Sequence, residues 1–429
     1  MLRAFVNSFK VPDLRNKILF TLFMIAVYRL GSFVPVPVVD IGLLTDALES
    51  QGGQGFLSFI DLFSGGALTR MAIFGLGIMP YITASIIMQL LTVVIPKLEQ
   101  WRKEGESGTK KINQWTRYVT VVLALLQSTG LVFLFHSGST QLGGVDIFPT
   151  GEFTTANVAL IVLVMTAGTA MIMWMGELIT QRGIGNGMSI LIFSSVISGL
   201  PSQGRAILLS GGNAKFVFAL LIGFVIVVAV IFIEQGQRRI PVQYAKRVVG
   251  RRMTTGGSTY IPLKVNQAGV IPIIFASSVL YFPTLLASVY HANWFTSFVN
   301  NYVTNQRSLV YMAFYGLLVV FFAYFYTAIA FNPVDTADNL RKYGGFVPGI
   351  RPGPPTADYL SFVLTRITLP GSIFLATIAL LPAIFFAYFL PVEFPFGGTS
   401  LLITVGVALE TMKQLESQLL MRHYEGFLR

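Results

Sequence analysis

The feature that most constrains this chain is a succession of continuous apolar runs separated by short charged or Gly/Pro-rich stretches. In the first half they fall at 18–34, 73–95, 118–135, 157–176 and 188–200; in the second half at 216–233, 268–289, 309–331, 367–390 and 400–415. Roughly 20 apolar residues in helical form cross a hydrocarbon core about 30 Å thick, so most of these runs are long enough to span a bilayer. The fifth, at 13 residues, also suits a re-entrant or buried helix. Continuous runs favour helices over a barrel, whose strands alternate in short segments. Composition agrees: 54% of the 429 residues are hydrophobic and 11% charged, with a mean hydropathy of +0.68. That is more apolar side chain than a soluble core of this length encloses. The fold class expected is an all-α integral membrane protein with ten transmembrane helices.

The net charge of +11 would suit a nucleic-acid partner if it were clustered on one surface, but its placement follows membrane topology instead. With an inside N-terminus and ten crossings, 25 of the 30 Lys and Arg residues lie in cytoplasmic loops or tails, while Arg29, Arg70, Arg205, Lys215 and Arg307 do not. Adding or dropping one span destroys that asymmetry. Both termini are therefore expected in the cytoplasm. Arg3, Lys10, Arg15 and Lys17 precede the first run, which continues without an Ala-x-Ala pattern, so it reads as a retained span rather than a cleaved signal. The absence of cysteine excludes disulfides, thiolate metal sites and cysteine nucleophiles.

Residues 77–85 (GIMPYITAS) and 269–277 (GVIPIIFAS) match at five of nine positions. They lie in spans two and seven, an odd number of crossings apart, and so run in opposite directions through the bilayer. This is the trace of an inverted-topology repeat, which places a functional pathway between two five-helix halves. The halves are expected at 1–205 and 206–429, the second carrying cytoplasmic loops at 234–267 and 332–366.

Between spans one and two, residues 56–67 form an apolar stretch too short to cross. It either folds back into the membrane as a re-entrant helix buried in protein or lies as an interfacial helix on the outer surface. Gly183-Ile184-Gly185-Asn186-Gly187 sits between spans rather than after a strand, and no Gly-Lys dipeptide occurs in the chain. Close helix approach or a sharp turn explains it better than a phosphate loop. Ionisable residues are scarce at depth: Arg29 interrupts a span, whereas Glu177, Glu234 and Glu410 lie toward cytoplasmic ends and His136, His291 and His423 fall in loops or the tail. Coupled pumps need intramembrane relays, and hydrolases need paired carboxylates or metal ligands, so both classes are disfavoured. Uncharged polar residues recur instead: Thr83, Ser85 and Gln89 in span two, Gln127, Ser128 and Thr129 in span three, Ser277 and Ser278 in span seven. They suit either a seam that opens or ordinary helix-packing contacts. The loop bearing Arg238, Arg239, Lys246, Arg247, Arg251 and Arg252, with a Gly/Pro-rich turn presenting Arg351, suits an anionic partner or lipid headgroups.

Several specific runs resemble the SecY family from end to end: FSGGA at 63–67, the segment 77–91, KEGESG at 103–108, 183–190, 244–252, Asn332-Pro333 with TADNL at 336–340, 346–353 and FGGTSLLI at 396–403. The resemblance implies an hourglass channel for polypeptides closed by an apolar ring: Ile78 and Ile82 of span two, Met188 and Ile192 of span five, Ile274 of span seven and Ile403 of span ten. Met188 departs mildly from the isoleucine usual in the bacterial family, yet its thioether should still seal. The resemblance further implies a plug at 56–67, including Phe56, Phe59, Ile60, Asp61, Phe63, Ser64 and Gly65. A lateral gate would be formed by spans two, three, seven and eight. The polar residues Thr83, Ser85, Gln89, Gln127, Ser128, Ser277 and Ser278 would then line its seam. Arg238, Arg239, Lys246, Arg247, Arg251, Arg252 and Arg351 would dock the ribosome or the SecA ATPase. SecE and SecG are the small subunits implied, with signal-sequence-bearing polypeptides and membrane lipids as further partners. The chain would need no cofactor, would not be an enzyme, and would reside in the bacterial plasma membrane. The runner-up is an inverted-repeat transporter for a small solute, which would need a defined midplane site.

Overall fold

The structure, a computed structural model, describes residues 9–39, 42, 63–136, 153–244, 248–249, 252–253, 257–289, 293–304, 308–388 and 398–426. Each of the ten apolar runs falls on helix. Helix α1 (Pro12–Gly31) starts with proline in its first turn, where the missing N–H has no intrahelical partner to lose. Next come α2 (Met79–Val94), α3 (Pro96–Lys103), α4 (Glu106–His136), α5 (Thr155–Arg182) and α6 (Gly187–Gln235). The later helices are α7 (Ile271–Val289), α8 (Asn293–Phe298) with a π-helical turn at Val299–Thr304, α9 (Leu309–Ala330), α10 (Pro333–Lys342), α11 (Pro354–Tyr388) and α12 (Gly398–Gly426). By length and composition, five of the described helices suffice to cross a membrane, or six if the bent pair α2 and α3 counts as one.

Two breaks shape these helices. Pro96 cannot continue the α2 hydrogen-bond ladder, and α3 turns away at 99°. As one straight helix, the 49 residues of α6 would run about 74 Å, far beyond a bilayer. The run is broken at Gly212, whose φ of 72° and ψ of 174° suit a residue without Cβ. Its second arm, Gly212–Gln235, has a hydropathy of 3.4 yet is only 17% buried. An apolar surface of that extent is stable only against lipid or another apolar chain.

Neighbouring helices pack in the order α2 on α4, α4 on α5, α5 on α6, then α7 on α9, α9 on α11, α11 on α12, with α12 closing back on α6. Helix α7 also lies against α4 and α2, which makes a second seam between the early and late helices. The largest apolar cluster sits among α1, α2, α5, α6, α7, α9, α11 and α12.

The loops at 234–267 and 332–366 add an element that a helix-only reading lacks. Strands β1 (Gln237–Tyr244) and β4 (Ser258–Lys264) pair antiparallel, with Ile240 opposite Ile261 and Arg238 opposite Leu263. A short β2–β3 pair (Val248–Val249 with Arg252–Met253) lies between them. Strand β5 (Gly345–Phe346) then joins β1 at Gln243 and Tyr244. Because β5 covers only that end, Pro241 keeps an open edge beside it, as a residue without a ladder donor requires. Ile240, Val242 and Leu263 point inward onto Val347, Leu360 and Val363. The two loops thereby share one small core.

Candidate functional site

The two matched nonapeptides take the same local form. Gly77 and Gly269 have φ of 57° and 61°; helix follows within two residues, with Pro80 and Pro272 in the first turn. The glycine reverses the chain and the proline presets the helix. This construction delivers Ile82 and Ile274, at equivalent positions, into the same cluster.

All six residues of the expected ring belong to that cluster. Ile78 is 2% exposed, Ile82 8%, Met188 9%, Ile192 5%, Ile274 7% and Ile403 0%, and all belong to one continuous apolar cluster with Phe63. They arrive from the start of α2, the first arm of α6, α7 and α12. Gly176 of α5 makes room for Met188: a Cβ at 176 would collide with the Met188 thioether. At the residue just before Met188, a Cβ at Gly187 would collide with the Gly176 carbonyl. The glycines of 183–187 thus serve close approach between α5 and α6. The Gly187 N–H also donates to Thr180 Oγ1 at 2.9 Å, and the Asn186 side chain caps α6 through Met188 N–H at 3.1 Å. A loop of this construction keeps its donors occupied within the protein.

Of the expected plug residues, Phe56, Phe59, Ile60 and Asp61 lie outside the described residues. Phe63, Ser64 and Gly65 are buried or nearly so and are held from several sides. The chain after α1 runs beside 71–73, with Val36 N–H donating to Met71 O at 2.7 Å and Ile73 N–H to Val34 O at 2.9 Å. Ser64 Oγ accepts from Leu68 N–H at 3.1 Å. Tyr28 Oη donates to Ser64 O at 3.3 Å and lies 2.7 Å from Ser195 Oγ. Arg29 Nη1 donates to Gly65 O at 2.9 Å. Arg29 stands out in sequence as a charge inside a span, but its acceptor does not, and no sequence signal marks Tyr28 or Ser195.

The polar residues expected along a seam bond mainly within their own half. Thr83 Oγ1 donates to Met79 O at 3.0 Å. Ser277 and Ser278 Oγ donate to Ile273 and Ile274 O at 2.8 Å. Ser277 Oγ also lies 3.3 Å from Tyr315 Oη of α9, and Ser128 Oγ 3.4 Å from Thr166 Oγ1 of α5. Ser85 is half-buried on α2. The buried carboxamide oxygens of Gln89 and Gln127 have no hydrogen-bond partner among the described residues. Near the other end of α4, Arg117 Nε and Nη2 donate to both Glu177 oxygens at 2.7 and 2.6 Å, a bidentate pair that ties α4 to α5. A polar contact that does cross between early and late helices is Arg102 Nη2 to Ile329 O at 2.6 Å, from α3 to the last turn of α9.

Arg238 and Arg239 are exposed on β1, with Arg239 stacked 4.8 Å over Tyr260, and Arg351 is exposed beyond β5. The sheet brings these two basic loops, distant in sequence, onto one platform. Arg252 lies in β3; Lys246, Arg247 and Arg251 lie outside the described residues. Among the described residues, no group of three or more His, Cys, Asp or Glu side chains could hold a metal ion.

The family model for SecY matches residues 72–412. The chain is 56% identical over 441 residues to the protein translocase subunit SecY of Streptomyces galbus, and 52% over 444 residues to that of Mycobacterium bovis, covering 100% of both chains in each case. Among solved structures, it resembles a protein-conducting channel with a TM-score of 0.65 at 16% identity, over 94% of this chain and 92% of that one. It also resembles a SecY channel whose plug domain stabilises the closed state, with a TM-score of 0.63 at 16% identity and the same coverage. A third likeness is to the channel of the canine ribosome-channel complex from the endoplasmic reticulum, with a TM-score of 0.62 at 17% identity, over 94% and 92%. At these identities the structural likenesses establish the fold.

Proposed function

The chain belongs to the SecY family of protein translocase subunits, and from that premise we propose how it works: as a ten-span, two-halved, plugged channel that passes unfolded secretory polypeptides across the bacterial plasma membrane and releases hydrophobic segments sideways into it. The observation that carries this reading is the convergence of Ile78, Ile82, Met188, Ile192, Ile274 and Ile403 with Phe63 in one apolar cluster. A narrow apolar constriction excludes water and ions by dewetting. It makes no hydrogen bonds, so it imposes no sequence preference on a chain that moves through it. A solute transporter would instead place a few fixed polar groups at that depth.

The seam of α2 and α4 against α7, with α9 behind it, is the exit toward lipid. Its support is the character of the contact between them: α7 packs on α2 and α4, while the hydroxyls along it bond within their own half, so little polar bonding holds the seam shut. The sheet carrying Arg238 and Arg239, with Arg351 beside it, is the docking platform for the ribosome or the SecA ATPase, whose surfaces must offer anionic groups. SecE and SecG are the small partner subunits, and the poorly covered apolar face of Gly212–Gln235 is available to a subunit or to lipid. The polypeptide chain performs no chemistry in this scheme; the motor or ribosome supplies the work. Both termini lie in the cytoplasm.

The test is single-channel conductance in planar bilayers, for the intact chain and for a chain lacking 56–67, with and without a signal peptide. The intact chain should be silent until the peptide is added, and the deletion should flicker to a large unselective conductance. Tight closure of both, or a conductance selective for one solute, would overturn the plugged-channel reading.

A further inference from the structure

Arg29 is the cation that interrupts the first apolar run, and the channel reading by itself gives it no task. A charge at such a position persists only where a partner receives it. Its guanidinium donates from Nη1 to the Gly65 carbonyl at 2.9 Å and lies 5.5 Å from the Phe33 ring centre. Tyr28, its neighbour on α1, stacks on Phe74 at 5.7 Å. The Tyr28 hydroxyl reaches both Ser64 O, at 3.3 Å, and Ser195 Oγ of α6, at 2.7 Å. The acceptors offered by the turn are backbone carbonyls, so the turn must bring its main chain close, and Gly65 permits that. Its φ is 66°, and a Cβ there would stand 2.6 Å from Arg29 Nη1 and 3.0 Å from both Ser195 Cα and Ser198 Oγ. Phe63, one residue before Ser64, is in the cluster with the six ring residues.

We propose that Tyr28, Arg29 and Ser195 form a polar clasp that holds the turn at 63–66, and with it Phe63, against the apolar ring, and that the strength of this clasp sets how often the channel opens without a signal peptide. The inference rests on the plugged-channel reading above. Arg29 acts through the turn, by its bond to the Gly65 carbonyl, and is a positioning residue. Hydrogen bonds from a charged donor are the stronger ones, and the Arg29 bond is partly buried, so Arg29 dominates the clasp and Tyr28 and Ser195 aim it.

The experiment measures resting open probability in planar bilayers for the full chain and for Arg29→Met, Arg29→Lys, Tyr28→Phe, Gly65→Ala and the 56–67 deletion. Arg29→Met and Gly65→Ala should raise resting openings roughly tenfold, the effect of one lost charge-assisted hydrogen bond. Tyr28→Phe should raise them less, and Arg29→Lys should return most of the closure. Openings with signal peptide present should change little, which separates the clasp from general loss of structure. If the deletion opens the channel while the point variants stay as silent as the intact chain, the clasp is wrong and the channel reading stands. If the deletion is silent too, both fall. Should Arg29→Met fail to accumulate, Gly65→Ala and Tyr28→Phe leave the charge in place and decide the matter alone.

Discussion

At the scale of single residues, the proposed seal would depend on how α5 leaves room for Met188. A methyl group at 176 would meet the Met188 Sδ, the far end of a flexible side chain, whereas one at 187 would meet the Gly176 carbonyl. The first intrusion is relieved by rotating the thioether away; the second has no rotamer to yield. Gly187→Ala is therefore expected to cost about 1–3 kcal/mol, as overpacking against fixed atoms does, and Gly176→Ala measurably less. The functional order should be the reverse among protein that folds: Gly176→Ala swings Met188 out of the ring and lets ions leak at rest. Thermal unfolding in detergent and resting conductance together check this. Equal destabilisation with no leak from Gly176→Ala would show that Met188 does not contribute to the seal. The burial of Ile82 and Ile274 together was legible through the repeat, since they stand at matching places in two similar nonapeptides and both enter one apolar cluster. Gly176 was not legible, because an isolated glycine in an apolar helix looks the same whether it faces lipid or a neighbour's side chain.

Among elements, the seam between early and late helices carries a contact that no motif announced. Helix α3 leaves α2 at 99° and is locked to α4 by a tight turn. Gly105 has φ of 75°, a Cβ at Gly108 would strike the Trp101 carbonyl, and Lys111 pairs with Glu104 at 3.0 Å. That elbow aims Arg102 at Ile329 O, placing a cation at the negative end of α9. Arg102→Ala should thus loosen the end of the seam where α3 meets the last turn of α9. The contact is exposed and will be screened by salt, so the expected effect is a two- to fivefold rise in lateral release of a marginally hydrophobic segment, about 1 kcal/mol or less. Reduced release, or no change at low ionic strength, would remove Arg102 from the seam. Sequence periodicity gave the helices because ten long apolar runs leave little choice. It missed the three-stranded sheet for the opposite reason: Gln237–Tyr244 and Gly345–Phe346 pair across about 100 residues, and the short Ile240/Val242 alternation is drowned by charge and proline. The seam hydroxyls suit either an opening seam or ordinary helix packing in sequence, because α-helical geometry lets Ser and Thr satisfy themselves on the carbonyl four residues back, as Thr83, Ser277 and Ser278 do.

For the whole molecule, the count of crossings decides the sidedness of everything after the break in α6. Gly187–Gln235 is a single helical run interrupted at Gly212. Two crossings there return the chain to the cytoplasm before β1, whereas one crossing would put the sheet, Arg238, Arg239 and Arg351 on the outer side. Charge argues for two, because with a single crossing the Lys- and Arg-rich loops at 234–267 and 332–366 would face outward. The absence of native cysteine makes the question directly measurable. Single cysteines at Thr109, Thr154, Trp294 and Tyr343, all exposed, would be labelled with a membrane-impermeant maleimide in cells and in inverted vesicles. Thr154→Cys and Trp294→Cys should react from outside and Thr109→Cys and Tyr343→Cys from the cytoplasm. If α6 crosses once, Thr109 and Thr154 keep their sides while Trp294 and Tyr343 exchange theirs. The docking platform and the N-terminal tail would then face opposite compartments, and no cytoplasmic motor could engage the platform. The two-halved channel therefore stands or falls on one glycine-centred reversal, and the four labels separate that outcome from a local error in any single span.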